Sequence, residues 1–461
     1  MNSLNDANII LDTDSYKSSH FLQYPPQMTR LMSYLESRGG MYPATRFFGL
    51  QYVLKRYLTT RVTLEMVQEA NEVIGAHGEP FPVEQWRTIA TELNGKLPLE
   101  VRAVPEGMVI PTHNALMTVT NTDERFPWLV GWFETMLMRV WYPTTVATQS
   151  YFIRQIIREA LETSADDPSS EIAFKLHDFG SRGVSSRESA GIGGLAHLLN
   201  FMGTDTMEAL RTARNYYGAD MAGFSIPAAE HSTVTTWGKE NELEAYRHTV
   251  NMFAQPGKTF AVVSDSYDLK RAINEFWGTA LRDQIVSSGA TLVVRPDSGD
   301  PAGMVRMAVR ALEAKFGSTV NQKGYRVMNN VRVIQGDGIN EDTIKEILAA
   351  ILNDGFSASN VGFGMGGALL QQVNRDTQRF AYKASAAIVD GAYRPVYKDP
   401  VTDPRKRSKD GVLDLTMDGK RFVTKQYTDF ASSYPNSVMR TVYRDGEMTV
   451  TDTLEEIRAR G

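Results

Sequence analysis

From Thr144 onward the apolar positions fall into a repeated order. Ile153, Ile156, Ile157, Ala160 and Leu161 recur at helical spacing. After them, short apolar runs alternate with amphipathic stretches. Phe260 to Ser264 is an apolar run that feeds DSYD and then a helical segment to about Trp277. Thr291 to Val294 leads into RPDSGD, where Asp300 suits a helix cap, Pro301 its first position, and Val305, Val309 and Leu312 follow on one face. Val331 to Gln335 leads into GDG; Asn340 is the next cap, Ile344, Ile347, Leu348, Ile351 and Leu352 form one stripe, and Gly355 ends it. Asn360 to Phe363 then runs into GMGG and a helix starting near Ala368. Ile172 to Leu176 reads as an earlier strand of the same kind, and Trp128 to Tyr142 as one buried helix.

Alternating β and α segments imply a parallel sheet, because each parallel strand needs a crossover to return. The fold class expected is α/β, a barrel or doubly wound sheet over residues 146–379. The flanks, 1–145 and 380–461, hold shorter β-like runs such as Leu99 to Val104 and Met108 to Ile110, and are expected to form a second, mixed α+β domain. In parallel sheets and α/β barrels ligands bind at the carboxyl ends of the strands. Here polar residues collect just after those ends.

Composition narrows the function. A chain of 461 residues calls for about two or three domains. Its formal charge of -5 gives no reason to expect a nucleic-acid or anionic-membrane partner. With no cysteine there is no disulfide framework, thiolate metal site or cysteine nucleophile, and a cytoplasmic setting is expected. Asp6, Asp12 and Asp14 fall where a signal peptide needs a cationic start and an apolar centre. The Trp128 to Tyr142 stretch carries Glu134 and Arg139 and falls short of the roughly 20 residues of a membrane span.

Candidate chemistry gathers in the loops. Gly336-Asp337-Gly338 and Gly364-Met365-Gly366-Gly367 follow successive strands; glycine lets backbone N–H groups converge on an anion, and a helix start adds positive potential. Both loops suit phosphate, and tight βα turns are the architectural alternative. Gly362, Gly364 and Gly367 also fit GxGxxG, with Asp390 at an acceptable distance, so an oxidoreductase binding a dinucleotide is a further reading. Arg295 and Asp297 pair a guanidinium suited to phosphate with a carboxylate suited to a ribose hydroxyl or hydrated Mg²⁺. Phe179 and Arg182 share a glycine-bracketed loop, HDFGSRG, where an aromatic can stack on a flat ring or belong to the core. His231 beside Glu230 suits proton transfer or transient phosphorylation, against a satisfied structural histidine. None of the seven histidines forms HExxH or another close metal pair.

Read in order, TDSYK at 13–17, HDFGSRGVSS at 177–186, GTDT at 203–206, PAAEHS at 227–232, SDSYD at 264–268, RPDSG, QGDG and KDPVTDPRKRSKDG at 398–411 resemble the nicotinamide phosphoribosyltransferase family over nearly the whole chain. The resemblance implies a dimeric type II phosphoribosyltransferase with an irregular α/β barrel and active sites shared between subunits. Its reaction would join nicotinamide to phosphoribosyl pyrophosphate, giving nicotinamide mononucleotide and pyrophosphate for NAD salvage, with ATP as phosphoryl donor and Mg²⁺ carried on the pyrophosphate rather than by protein alone.

Carried over by position, the resemblance implies nicotinamide between Phe179 and Tyr16, the latter from the partner subunit, with Asp205 bonded to the carboxamide. Arg295 and Asp297 would lie beside base and ribose. Gly336, Asp337, Gly366 and Gly367, with Arg182, would hold the ribose and 5′-phosphate. Arg38, Arg375, Lys383, Lys398 and Lys406 would gather phosphates. His231 would be the phosphorylated histidine, with Glu230, Ser225, Ser264 and Asp268 around it. The chain departs from the vertebrate-like pattern at Ala381 and Met365, each in place of a serine, and in a shortened segment after Arg38. A nicotinate phosphoribosyltransferase and a non-catalytic barrel binding protein are the competing readings; Asp205, which would repel a carboxylate-bearing base, separates the first from the family reading.

Overall fold

The structure is a computed structural model that describes residues 8–402, 407–431 and 434–461. The chain divides into two units. One runs up to Thr148 and takes in Arg214–Ala219 and Asn374–Gly461; the other comprises Gln149–Ala213 and Asp220–Val373.

The second unit is built on six parallel strands: β1 (Leu176–Asp178), β2 (Gly203–Thr204), β3 (Thr259–Val263), β4 (Thr291–Arg295), β5 (Val331–Gln335) and β6 (Val361–Met365). Their order is β2-β1-β6-β5-β4-β3, every neighbouring pair parallel. The two edges are joined by the stretch around 224–229. Thr204 N donates to Phe224 O at 3.0 Å, and Ala261 N donates to Pro227 O while Ala229 N donates to Ala261 O, each at 2.9 Å. An irregular seventh segment thus closes the sheet into a barrel and satisfies both edges. Side chains alternate along the strands: Ala261, Val293 and Ile334 share the inner face with Phe179, and Phe260, Val262, Leu292 and Val294 point outward, fully buried.

The expected caps are present. Asp300 accepts Gly303 N at 2.7 Å to start helix Pro301–Phe316. Asn340 forms a reciprocal capping box with Thr343 at the head of helix Glu341–Asn353, and Gly355 follows with φ 76°.

Two expected elements need correction, and two others are present in a different form. Ile172 to Leu176 is not a strand: Asp167 caps a helix at Pro168–Glu171 that tightens into a 3₁₀ turn at Ile172–Phe174, and the strand begins at Leu176. A five-residue apolar run fits either period. Trp128 to Tyr142 is not one helix but two short ones, Leu129–Trp132 and Glu134–Met138, broken where Phe133 leaves helical geometry (φ -88°, ψ 8°), before the long helix Trp141–Ser164. The helix near Ala368 is a single turn, Gly367–Leu370. Helix Leu269–Arg271 passes into a π-helix at Ala272–Ala280, capped by Asp268.

The first unit centres on a seven-stranded sheet ordered 392–395, 380–389, 28–37, 115–121, 99–103, 440–444 and 447–448. Its neighbours are antiparallel throughout. The expected mixed domain of residues 1–145 and 380–461 thus extends to Thr148 and back to Asn374, and takes in 214–219. Among the described residues no helix is long and apolar enough to cross a membrane.

Candidate active site

Every barrel strand is followed at its carboxyl end by an expected residue: Phe179 and Arg182 after β1, Asp205 after β2, Ser264 and Asp268 after β3, Asp297 after β4, Gly336 and Asp337 after β5, and Gly366 and Gly367 after β6. Ser225, Glu230 and His231 come from the closing segment and the turn beyond it.

The Phe179 ring lies on Ala261, Val293 and Ile334, and its backbone N–H donates to Met365 O at 3.0 Å, which extends the β1–β6 pairing by one residue. Gly364 makes room for it, since a Cβ there would stand 1.9 Å from Phe179 Cε2. Asp205 is exposed and accepts Ser225 Oγ at 2.6 Å. Phe179, Asp205, Ser225 and Arg295 line one cavity of about 440 Å³ within the barrel. His177 lines it too; burial lowers its pKa, which keeps the imidazole neutral, and Nε2 meets Phe174 O at 2.9 Å. Arg295 Nε is buried without a hydrogen-bond partner and stands 3.7 Å from Asp297 Oδ1.

His231 starts a short helix, with its side chain 45% exposed. Nε2 faces Asp265 Oδ1 at 3.3 Å and Nδ1 faces Asp297 Oδ2 at 3.8 Å. Asp265 is itself fixed, accepting Asp297 N at 2.9 Å and Ser298 Oγ at 2.5 Å. Glu230 accepts the Ser232 hydroxyl. Two carboxylates around an accessible imidazole orient the ring. Two neighbours expected around His231 have other partners. Ser264 is buried, with its hydroxyl donating to Val262 O and receiving Trp277 Nε1. Asp268 accepts Arg271 N.

At the glycine loops, Asp337 is exposed, and its carbonyl accepts Gln335 Nε2 at 2.9 Å. Gly366 and Gly367 open the turn after β6; a Cβ on Gly367 would meet nothing within 4 Å, which leaves open space above it. Gly362 and Gly364 lie inside β6 rather than in a strand-to-helix turn, and Asp390 sits at a strand end of the other sheet. The geometry of a dinucleotide fingerprint is therefore absent from this stretch.

The remaining expected residues belong to the first unit. Tyr16 is 55% exposed on the 3₁₀ turn Ser15–Leu22. Arg38 Nε donates to the buried Glu36 at 2.9 Å, and Lys409 pairs with the same carboxylate. Burial lowers the Lys383 pKa, with Arg38, Lys398 and Lys17 as nearby cations acting in the same direction and Glu134 opposing them. Arg375 is exposed, 3.6 Å from Asp376. Lys398 is exposed, with its N–H donating to Ser408 Oγ. Lys406 lies outside the described residues. Among those described, no group of three or more His, Asp or Glu side chains could hold a metal ion.

Sequence reasoning missed Asp265 and Asp178, which stand at or just beyond strand ends, the positions at which barrel chemistry collects.

The model of the nicotinate phosphoribosyltransferase (NAPRTase) family matches residues 174–447, and that of the nicotinamide phosphoribosyltransferase N-terminal domain matches residues 8–101. The chain is 53% identical over 459 residues to a nicotinamide phosphoribosyltransferase of Xanthomonas campestris pv. campestris, covering 98% of this chain and 97% of that protein. It is 31% identical over 503 residues to one of Acinetobacter baylyi, covering 99% and 97%. Among solved structures, nicotinate-nucleotide pyrophosphorylase from Pyrococcus furiosus superposes with a TM-score of 0.61 at 15% identity, covering 100% of this chain and 95% of that one. Human nicotinic acid phosphoribosyltransferase gives 0.58 at 19%, covering 97% and 92%. These two likenesses concern the fold.

Proposed function

The chain belongs to the nicotinamide phosphoribosyltransferase family, and from that premise we propose that it joins nicotinamide to phosphoribosyl pyrophosphate at the carboxyl ends of its barrel strands. The observation that carries this reading is one cavity lined at once by an aromatic ring, Phe179, an exposed carboxylate, Asp205, and a guanidinium, Arg295. The ring stacks on the base, and Asp205 accepts from the carboxamide NH₂ and repels a carboxylate in its place. The pyridine nitrogen gives its lone pair to C1 of the ribose as the C1–O bond breaks, and that electron pair leaves with pyrophosphate; no proton moves. Alignment of the reactants and cations around the pyrophosphate supply the catalysis. Asp297 and Asp337 hold ribose hydroxyls, Gly336, Gly366, Gly367 and Arg182 the 5′-phosphate, and Arg38, Arg375, Lys383, Lys398 and Lys406 the remaining phosphates. Mg²⁺ travels on the pyrophosphate and adds charge neutralisation.

The reading extends to ATP as phosphoryl donor to His231, supported by the exposed imidazole between Asp265 and Asp297. It extends to a cytosolic homodimer in which Tyr16 of one chain covers the ring slot of the other, supported by the exposure of Tyr16. One assay tests it: product formed from nicotinamide or nicotinic acid with phosphoribosyl pyrophosphate and Mg²⁺, with and without γ-labelled ATP. Nicotinamide should be the preferred base, label should appear on His231, and Asp205→Asn should lower kcat/KM for nicotinamide about 10- to 100-fold, the worth of a hydrogen bond to a charged group. Preference for nicotinic acid, or unchanged kinetics in Asp205→Asn, overturns the base assignment.

A further inference from the structure

Asp178 closes β1 and is wholly buried, yet among the described residues no ion pair forms on it. A carboxylate in that setting costs stability unless donors hold it. Oδ1 accepts Gly180 N at 2.7 Å, across the turn whose middle residue is Phe179. Oδ2 receives the Thr204 hydroxyl at 3.5 Å, and that hydroxyl in turn accepts Thr206 N at 3.0 Å, so the second oxygen is joined to the two residues that flank Asp205. The main chain repeats the link, with Asp205 N donating to Asp178 O at 3.0 Å. Both glycines near it sit in close quarters: a Cβ on Gly194 would stand 2.9 Å from Oδ2, and one on Gly180 would stand 2.7 Å from Leu370 and 2.9 Å from Gly366 O.

We propose that Asp178 is a positioning residue for the base slot, one buried carboxylate that sets the spacing between the strand end carrying Phe179 and the strand end carrying Asp205. The inference rests on the reading of Phe179 and Asp205 as the base-binding pair. Burial also pushes the Asp178 carboxyl up to about 6, so its donors work against desolvation to keep it ionised at neutral pH. Loss of the Gly180 acceptor frees the turn that carries the ring without touching the phosphate loops' own hydrogen bonds.

Steady-state kinetics of the full chain separate this from a general structural role. Asp178→Ala should raise KM for nicotinamide about ten-fold, the scale of one hydrogen bond to a charged group, and leave KM for phosphoribosyl pyrophosphate within about two-fold. Asp178→Asn, which keeps an acceptor for Gly180 N, should restore most of the nicotinamide KM. Thr204→Val, a milder change that removes the bridging hydroxyl, should move the nicotinamide KM in the same direction and decides the matter if Asp178→Ala does not fold. A wild-type nicotinamide KM in folded Asp178→Ala or Thr204→Val, or parallel rises in both KM values, overturns the proposal. Wild-type protein that makes no product from nicotinamide overturns the underlying reading instead.

Discussion

At Gly364 one methyl group is enough to move the ring that floors the base slot. A Cβ built there would overlap Phe179 Cε2 at 1.9 Å and Cδ2 at 2.2 Å, and the ring is backed by Ala261, Val293 and Ile334. Gly364→Ala should therefore push Phe179 toward the cavity. The expected outcome is a rise in nicotinamide KM of ten-fold or more, with overpacking lowering stability by about 1–3 kcal/mol. Kinetics and thermal melts of the variant check both, and wild-type values would show that the ring has another place to go. In the sequence Gly364 reads as part of a phosphate loop, because its need for glycine comes from a ring on a neighbouring strand far away in the chain. Phe179, Asp205 and His231 were legible through the motifs that hold them. Asp265 was not, although SDSYD was singled out: Asp268 looked equally available, and only the fold shows that Asp268 caps a helix while Asp265 meets the imidazole.

Among the elements, those that announce themselves with caps were the most readable. Helix Glu341–Asn353 has an Asn340 side chain that accepts from Asp342 and Thr343, a Thr343 hydroxyl that accepts from Asn340 N, and a stripe of Ile344, Ile347, Leu348 and Ile351 facing the core. The Thr343 hydroxyl also donates to Gly338 O, which ties the helix start to the glycine loop after β5. Asn340→Ala should lower stability by about 1 kcal/mol through the lost cap, seen as a lower urea midpoint at unchanged slope. An unchanged midpoint would mean that packing of the stripe alone fixes this helix. Elements without such signals were misread. The 172–176 run is too short to tell strand from 3₁₀ turn, and Gly131, two residues before the break at Phe133, sits inside a helical turn and does not mark the break. The π-helical stretch Ala272–Ala280 keeps an apolar pattern close enough to 3.6 residues per turn to pass for an ordinary helix. Barrel closure by the 224–229 stretch was likewise unreadable, since its backbone pairs without a regular strand.

At the scale of the whole molecule, the boundary least visible in the sequence is the assignment of 214–219 to the first unit, and its cause is a buried polar junction. Gln51 Nε2 donates to Tyr216 O and Asp452 O, each at 2.9 Å, and Gln51 Oε1 accepts Asp452 N at 2.7 Å. Beside it Glu106 is buried, with Oε1 accepting Gln51 N at 2.7 Å, and burial pushes its carboxyl up to about 7, well above the ordinary glutamate range. A carboxyl raised by folding favours the protonated native state. Its stabilising contribution is therefore full below about pH 4.5 and is lost as pH climbs through 7. The difference amounts to roughly 3 kcal/mol at most. Glu106→Gln keeps the shape and an acceptor for Gln51 N but carries no proton to lose, so its Tm should gain on the wild type as pH rises from 5 to 8. At roughly 2–4 °C per kcal/mol for a unit of this size, the gap between the two melting curves should widen by several degrees. Curves that stay parallel across that range would mean that Glu106 keeps an ordinary carboxylate pKa and that the junction is held by Gln51 alone.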